Sequence, residues 1–182
     1  MLNVKYIVIP NQIPPGRPRP DIGKLISLYP EVFRNDTIRI LENTNVLPRA
    51  WIVHEAVEAS DNFSLMMIDS GFVDPRDIVF LEPGSNVTPL AVVTDRSEES
   101  VSITSIGDDE IELSATTTAA GLLVIGEVHA DGWSAYVDGV KVEIFVANGL
   151  LRAIEMPAGT HTIEFRYDPW SLRYGLYISS LT

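Results

Sequence analysis

Hydrophobic and polar positions alternate most cleanly between Gly121 and Tyr167, where four or five apolar, β-rich runs are separated by strong turn signals. Asp138-Gly139, between Tyr136-Val137 and Val140-Lys141, supplies the positive φ angles that a two-residue type I′ hairpin demands. Met156-Pro157-Ala158-Gly159 reads as a second turn, with Pro where φ is already set and Gly where the chain leaves. The strand after it alternates, with His161, Ile163, Phe165 and Tyr167 on a core face and Thr162, Glu164 and Arg166 on a wet one.

Upstream the pattern is weaker. Leu2 to Ile9 is a short β-type run ending at Pro10, and the proline-rich stretch that follows reads as extended linker. Gly23 to Tyr29 has room for one helical turn before Pro30. Ile38 to Glu42, an alternating run from Ala50 to Val57, and Asp77 to Leu81 read as strands. Asp61 caps an expected short helix, Asn62 to Asp69, with Gly71 as its stop. Val87 to Val93 reads as a strand broken by Pro89, and Thr94 to Ser100 as a charged loop. Val101 to Ile106 and Glu110 to Thr116 are expected to form a hairpin around Gly107. About ten short strands with one short helix predict an all-β, mainly antiparallel sandwich of jelly-roll type, a closed barrel being the alternative. Residues 1–37 are expected to be an irregular leading segment with one strand, and residues 38–182 the sandwich domain.

Composition narrows the chemistry. The net charge of −12 disfavours nucleic acid and anionic lipid as partners. The absence of cysteine removes disulfides, thiolate metal sites and cysteine nucleophiles. No apolar run approaches the roughly 20 residues that cross a bilayer, and no basic-then-apolar leader opens the chain. There is no glycine-rich phosphate loop, serine elbow or zinc motif. No cofactor or metal is expected.

Trp133, Tyr136, Tyr167 and Trp170 are candidates for an aromatic platform under a sugar ring, with Asp138 accepting from its hydroxyls. The competing reading makes Trp133 and Tyr167 core residues. Glu127, His129 and Asp131 alternate and would share one strand face, as an acid/base or metal site needs, or as a plain polar row. His161 reads as structural, and neither it nor His54 or His129 has a second histidine at ligand spacing.

LNVKYIV, ENTNVLPRAWIV, GLLVIGEVHADGWSAYVDG, NGLLRAIEMPAGTHTIEFRYDP and GLYIS, in that order, resemble the carboxy-terminal region of the YfhO family of bacterial multispanning membrane proteins. The Gly-Trp-x-x-x-Val-Asp-Gly hairpin and the downstream Pro-Ala-Gly-x-His turn are the most specific part. The resemblance implies a non-catalytic domain on the extracytoplasmic face of the membrane, attached to a helical bundle like that of glycosyltransferases using polyprenyl-phosphate sugars. The implied partners are a cell-envelope glycan or glycolipid and the parent's own transmembrane helices. The alternative is a structural domain that packs on that bundle and binds no glycan. By the same resemblance, Thr182 reads as a boundary before a membrane helix.

Overall fold

The computed structural model describes residues 3–12, 19–88, 90 and 92–169. The chain divides into two compact units, Met1–Pro48 and Arg49–Thr182. The break therefore falls eleven residues beyond the expected 37/38 boundary, because the leading segment is more regular than its prolines suggest.

In the first unit, β1 (Tyr6–Pro10), β2 (Glu31–Arg34) and β3 (Ile38–Glu42) form a sheet in the order β1-β3-β2. Helix α1 (Pro20–Leu28) is longer than the single turn expected. Pro20 stands in its first turn, where the missing N–H costs nothing, and Tyr29 ends it in an extended conformation ahead of Pro30. Ile22 of α1 packs with Ile9 and Leu41 to form a small core. Asn35 Oδ1 closes the β2–β3 turn by accepting from the Thr37 and Ile38 amides, both at 2.9 Å. Tyr6 and Val8 alternate with Ile7 and Ile9, so they lie on the uncovered sheet face, where Phe33 joins them through the Val8–Ile40–Phe33 register.

The second unit is a β-sandwich. One sheet has the order β11-β10-β14-β8-β7, with β7 (Ser100–Ile106), β8 (Glu110–Thr117), β10 (Trp133–Val137), β11 (Val140–Val142) and β14 (Gly159–Tyr167). Along β8 half-buried and buried residues alternate strictly, as a sheet with one wet face requires. The other sheet has the order β4-β9-β13-β12-β6-β5, with β4 (Ala50–Val53), β5 (Glu55–Glu58), β6 (Ile78–Leu81), β9 (Gly121–Val128), β12 (Phe145–Ala147) and β13 (Leu151–Met156). Ile52, Leu123, Ile125, Ile154 and Met156 meet Ile111, Leu113, Ile163 and Phe165 between the sheets. The alternate residues Trp51, Val53, Leu122, Val124 and Ala153 are buried as well. That double burial explains why AWIV and GLLVI read as unbroken apolar runs. Helix α2 (Asp61–Asp69) sets Phe63 edge-on to Phe80, and Trp51 Nε1 donates to the Pro75 carbonyl at 2.7 Å. Its cap position is Ser60, one residue before the expected Asp61, with no side-chain capping bond.

Two hairpins carry positive φ at both central residues: Asp138 (50°) with Gly139 (78°), and Asn148 (53°) with Gly149 (70°). The expected strand over 87–93 is absent among the described residues, which run as loop from Glu82 to β7. The expected strand over 50–57 is interrupted. β4 and β5 are separated by His54 alone, yet they occupy opposite edges of the six-stranded sheet. The sheet therefore curls until its two edges meet at one residue.

Candidate functional site

The bend at His54 is pinned from three sides. Its Nδ1 lies 3.0 Å from the Ala120 carbonyl and its Nε2 lies 2.5 Å from Glu99 Oε1. Both ring nitrogens thus face oxygens of the protein. Glu99 Oε2 accepts from Arg96 Nε at 2.8 Å, and Thr117 Oγ1 lies 3.2 Å from Glu99 Oε1. Arg96 reaches further, donating through its terminal nitrogens to the carbonyls of Arg76 and Ile52. The His54 and Glu99 side chains are 7% and 8% exposed. Burial alone would raise the Glu99 carboxyl, but the hydrogen bonds and charges of Arg96 and His54 outweigh it and hold the group below the ordinary carboxylate range. Gly121 permits the approach, since a Cβ there would sit 2.9 Å from His54 Cε1.

Beside this seam opens a pocket of about 690 Å³. His54 and β5 line it, β5 being the last strand of its sheet, with no strand on its second edge among the described residues. Glu55, Glu58 and Asp77 bring carboxylates, while the segment with Thr88, Leu90 and Val93 supplies a second wall. That wall is anchored where the Gly84 amide donates to Glu58 Oε2 at 3.0 Å and the Thr88 amide to Glu155 Oε1 at 2.5 Å. His54 has no free ring nitrogen with which to take a substrate proton. Among the described residues no three His, Asp or Glu side chains are grouped to hold a metal ion. What remains for a ligand is hydrogen-bond acceptors, an open strand edge and an apolar wall.

Of the residues expected to form an aromatic platform, Trp133 and Tyr167 meet, while Tyr136 lies on the other side of the strand. Trp133 faces the core with Ala135 and Val137, while Tyr136 points to the other side of β10. Trp133 lies between Tyr167, 5.3 Å away between ring centroids, and the Arg152 guanidinium, 4.1 Å from its ring. Arg152 is itself buried, with Nε donating to the Val128 carbonyl and Nη1 lacking a hydrogen-bond partner among the described residues, and burial lowers its pKa. Tyr136 lies under Arg166, whose Cζ is 5.1 Å from the ring. Trp170 lies outside the described residues. Glu127, His129 and Asp131 do not share a strand face either, because β9 ends at Val128 after a bulge, and Glu127 pairs with Arg49 at 2.5 Å.

Asp138 has both oxygens engaged, Oδ1 by the Thr162 amide at 2.9 Å and Oδ2 by His161 Nδ1 at 2.6 Å. It is a fastener between the Asp138-Gly139 hairpin and β14. The hydrogen bond to Asp138 raises the His161 pKa against the opposing effect of burial, and the bonds from His161 and Thr162 lower that of Asp138. The His161 contribution is full below about 6.5 and is lost as pH rises through its raised folded value. The Asp138 contribution is full above about 3.8 and is lost as pH falls through its lowered value. Between those limits the tie is complete. The Tm gap between wild type and His161→Gln should narrow as pH rises above that window, and a gap constant to alkaline pH would contradict the assignment.

A family model described as bacterial membrane protein YfhO matches residues 86–179. The chain belongs to this family. The YfhO match starts in the pocket wall and takes in Arg96, Glu99, the Asp138–His161 tie and the Arg152–Trp133 stack. No curated protein and no solved structure matches the chain. None of the helices among the described residues is long and apolar enough to cross a membrane. Within the YfhO stretch, the two motifs that looked most specific, Val-Asp-Gly and Pro-Ala-Gly-x-His, touch through Asp138 and His161. Sequence reasoning missed the His54–Glu99–Arg96 cluster, since 42 residues or more separate His54 from its partners. The one local signal was a strand pattern from 50 to 57 with a polar, hydrogen-bonding residue at its middle.

Proposed function

We propose that this domain is a non-catalytic module on the extracytoplasmic face of a membrane glycosyltransferase-like protein. It positions a glycan acceptor during glycosylation of a cell-envelope polymer, and the glycan lies in the pocket at the His54 seam. The observation that carries this reading is the pocket itself. Its volume of about 690 Å³ is within the usual range for small-ligand sites. It offers carboxylate acceptors, threonine hydroxyls and an open strand edge to sugar hydroxyls, while the one histidine in it is held by two oxygens.

Calorimetric titration with a neutral cell-wall-type oligosaccharide, the chitin tetramer, tests it. Wild type and Tyr136→Ala should bind with dissociation constants on the order of 1 mM, and Ala56→Trp, which fills the pocket, should not. Binding lost in Tyr136→Ala and kept in Ala56→Trp would move the site to the outer sheet face. A second reading, a domain that packs on the parent's transmembrane bundle and binds no glycan, draws support from the first unit's uncovered face, where Tyr6, Val8 and Phe33 are 53%, 59% and 48% exposed. Absence of binding by wild type would leave that reading.

A further inference from the structure

We infer that the seam pocket selects amine-bearing, cationic glycans over neutral and anionic ones, an inference that rests on the glycan reading of the same pocket. Arg96 directs Nε to Glu99 and one hydrogen of each terminal nitrogen to the carbonyls of Arg76 and Ile52, and Asp77 stands 3.6 Å from it, so its charge is already met by carboxylates of the protein. His54 is likewise held at both nitrogens. The one guanidinium lining the pocket is therefore balanced by Glu99 and Asp77, and no lysine is among the described lining residues.

The carboxylates are in the opposite position. Glu58 gives one oxygen to the Gly84 amide, and its other oxygen has no hydrogen-bond partner among the described residues. Asp77 is 72% exposed and only 3.6 Å from the nearest Arg96 nitrogen, a loose pair. Glu55 is exposed and makes no ion pair among the described residues. Counting the buried Glu99, four carboxylates stand against one guanidinium and one imidazole. The pocket is left negative, and its negative groups are the ones that reach solvent. A neutral sugar can hydrogen-bond to them, but an ammonium group in place of an acetamide adds a charge-assisted bond at the same position.

The test compares two ligands that differ only there, the chitosan tetramer and the chitin tetramer, titrated in mildly acidic buffer so that the amines are protonated. Because each pairing is with a solvated carboxylate, the expected preference for chitosan is roughly five- to tenfold at low salt, falling toward unity as salt is raised. The double variant Glu55→Gln/Glu58→Gln should bring the ratio of chitosan to chitin affinity to about one. Asp108→Asn/Glu143→Gln, which removes the same charge from exposed positions outside the pocket, should keep the preference. Equal affinity for the two tetramers overturns the inference and leaves the glycan reading standing. Equal loss of preference in both double variants overturns it too, since the selectivity would then belong to the whole chain's charge. Binding of neither tetramer overturns the glycan reading, and this inference with it.

Discussion

Glu99→Ala is expected to destabilise the second unit by about 3–5 kcal/mol, the range for removing one partner of a buried, hydrogen-bonded ionic cluster. The substitution leaves the His54 ring beside a carbonyl with nothing opposite it, and frees Arg96 Nε from its only carboxylate contact at hydrogen-bond distance. Both groups hold the single-residue bend through which the two edges of the six-stranded sheet meet, so the loss is not confined to one loop. Urea denaturation measures it. Glu99→Gln keeps the shape and one acceptor oxygen, and should lose clearly less than alanine. A loss below about 1 kcal/mol in the alanine variant, typical of a solvated surface pair, would mean that the cluster does not hold the seam.

Asn148→Ala comes next, at about 2–4 kcal/mol. Asn148 is fully buried, has φ of 53°, and uses Oδ1 to accept from the Phe80 amide at 2.9 Å while its own amide donates to the Phe80 carbonyl at 2.7 Å. One residue thus pairs with both backbone groups of Phe80, as a short strand would. Alanine keeps the backbone bond but leaves a buried amide unpaired, about 1–3 kcal/mol, and lacks the polar side chain by which asparagine tolerates the left-handed region, about 1 kcal/mol more. Asn148→Gly relieves only the second cost, so it should recover about 1 kcal/mol. Full recovery by glycine would show that the Phe80 bond contributes nothing.

The hairpin at Asp138-Gly139, the alternation of β8 and β14 and the sandwich class were legible because local chemistry and tertiary role agree there. Asn148-Gly149 carried the same kind of signal. Residues 50–57 are the instructive failure. They read as one strand because their pattern alternates, yet the two halves pair with β9 and β6 at opposite sheet edges. Nothing within those residues encodes that split, which depends on Glu99, Arg96 and Ala120. The aromatic residues misled for a related reason. Trp133 and Tyr136 are three apart, which places them on opposite faces of any strand, and Arg152 covers Trp133 from a strand with no sequence proximity. Asp138, a candidate for sugar hydroxyls, is held by a histidine 23 residues further along.

The central claim is that the ligand site lies at the seam and not on the aromatic residues. Backbone amide shifts of the isotope-labelled chain, followed during titration with the chitin tetramer, test it most directly. The account predicts shifts confined to residues 54–58, 77 and 85–96, with Trp133, Tyr136 and Tyr167 unmoved. Shifts centred on those three aromatic residues instead, with the seam silent, would contradict it.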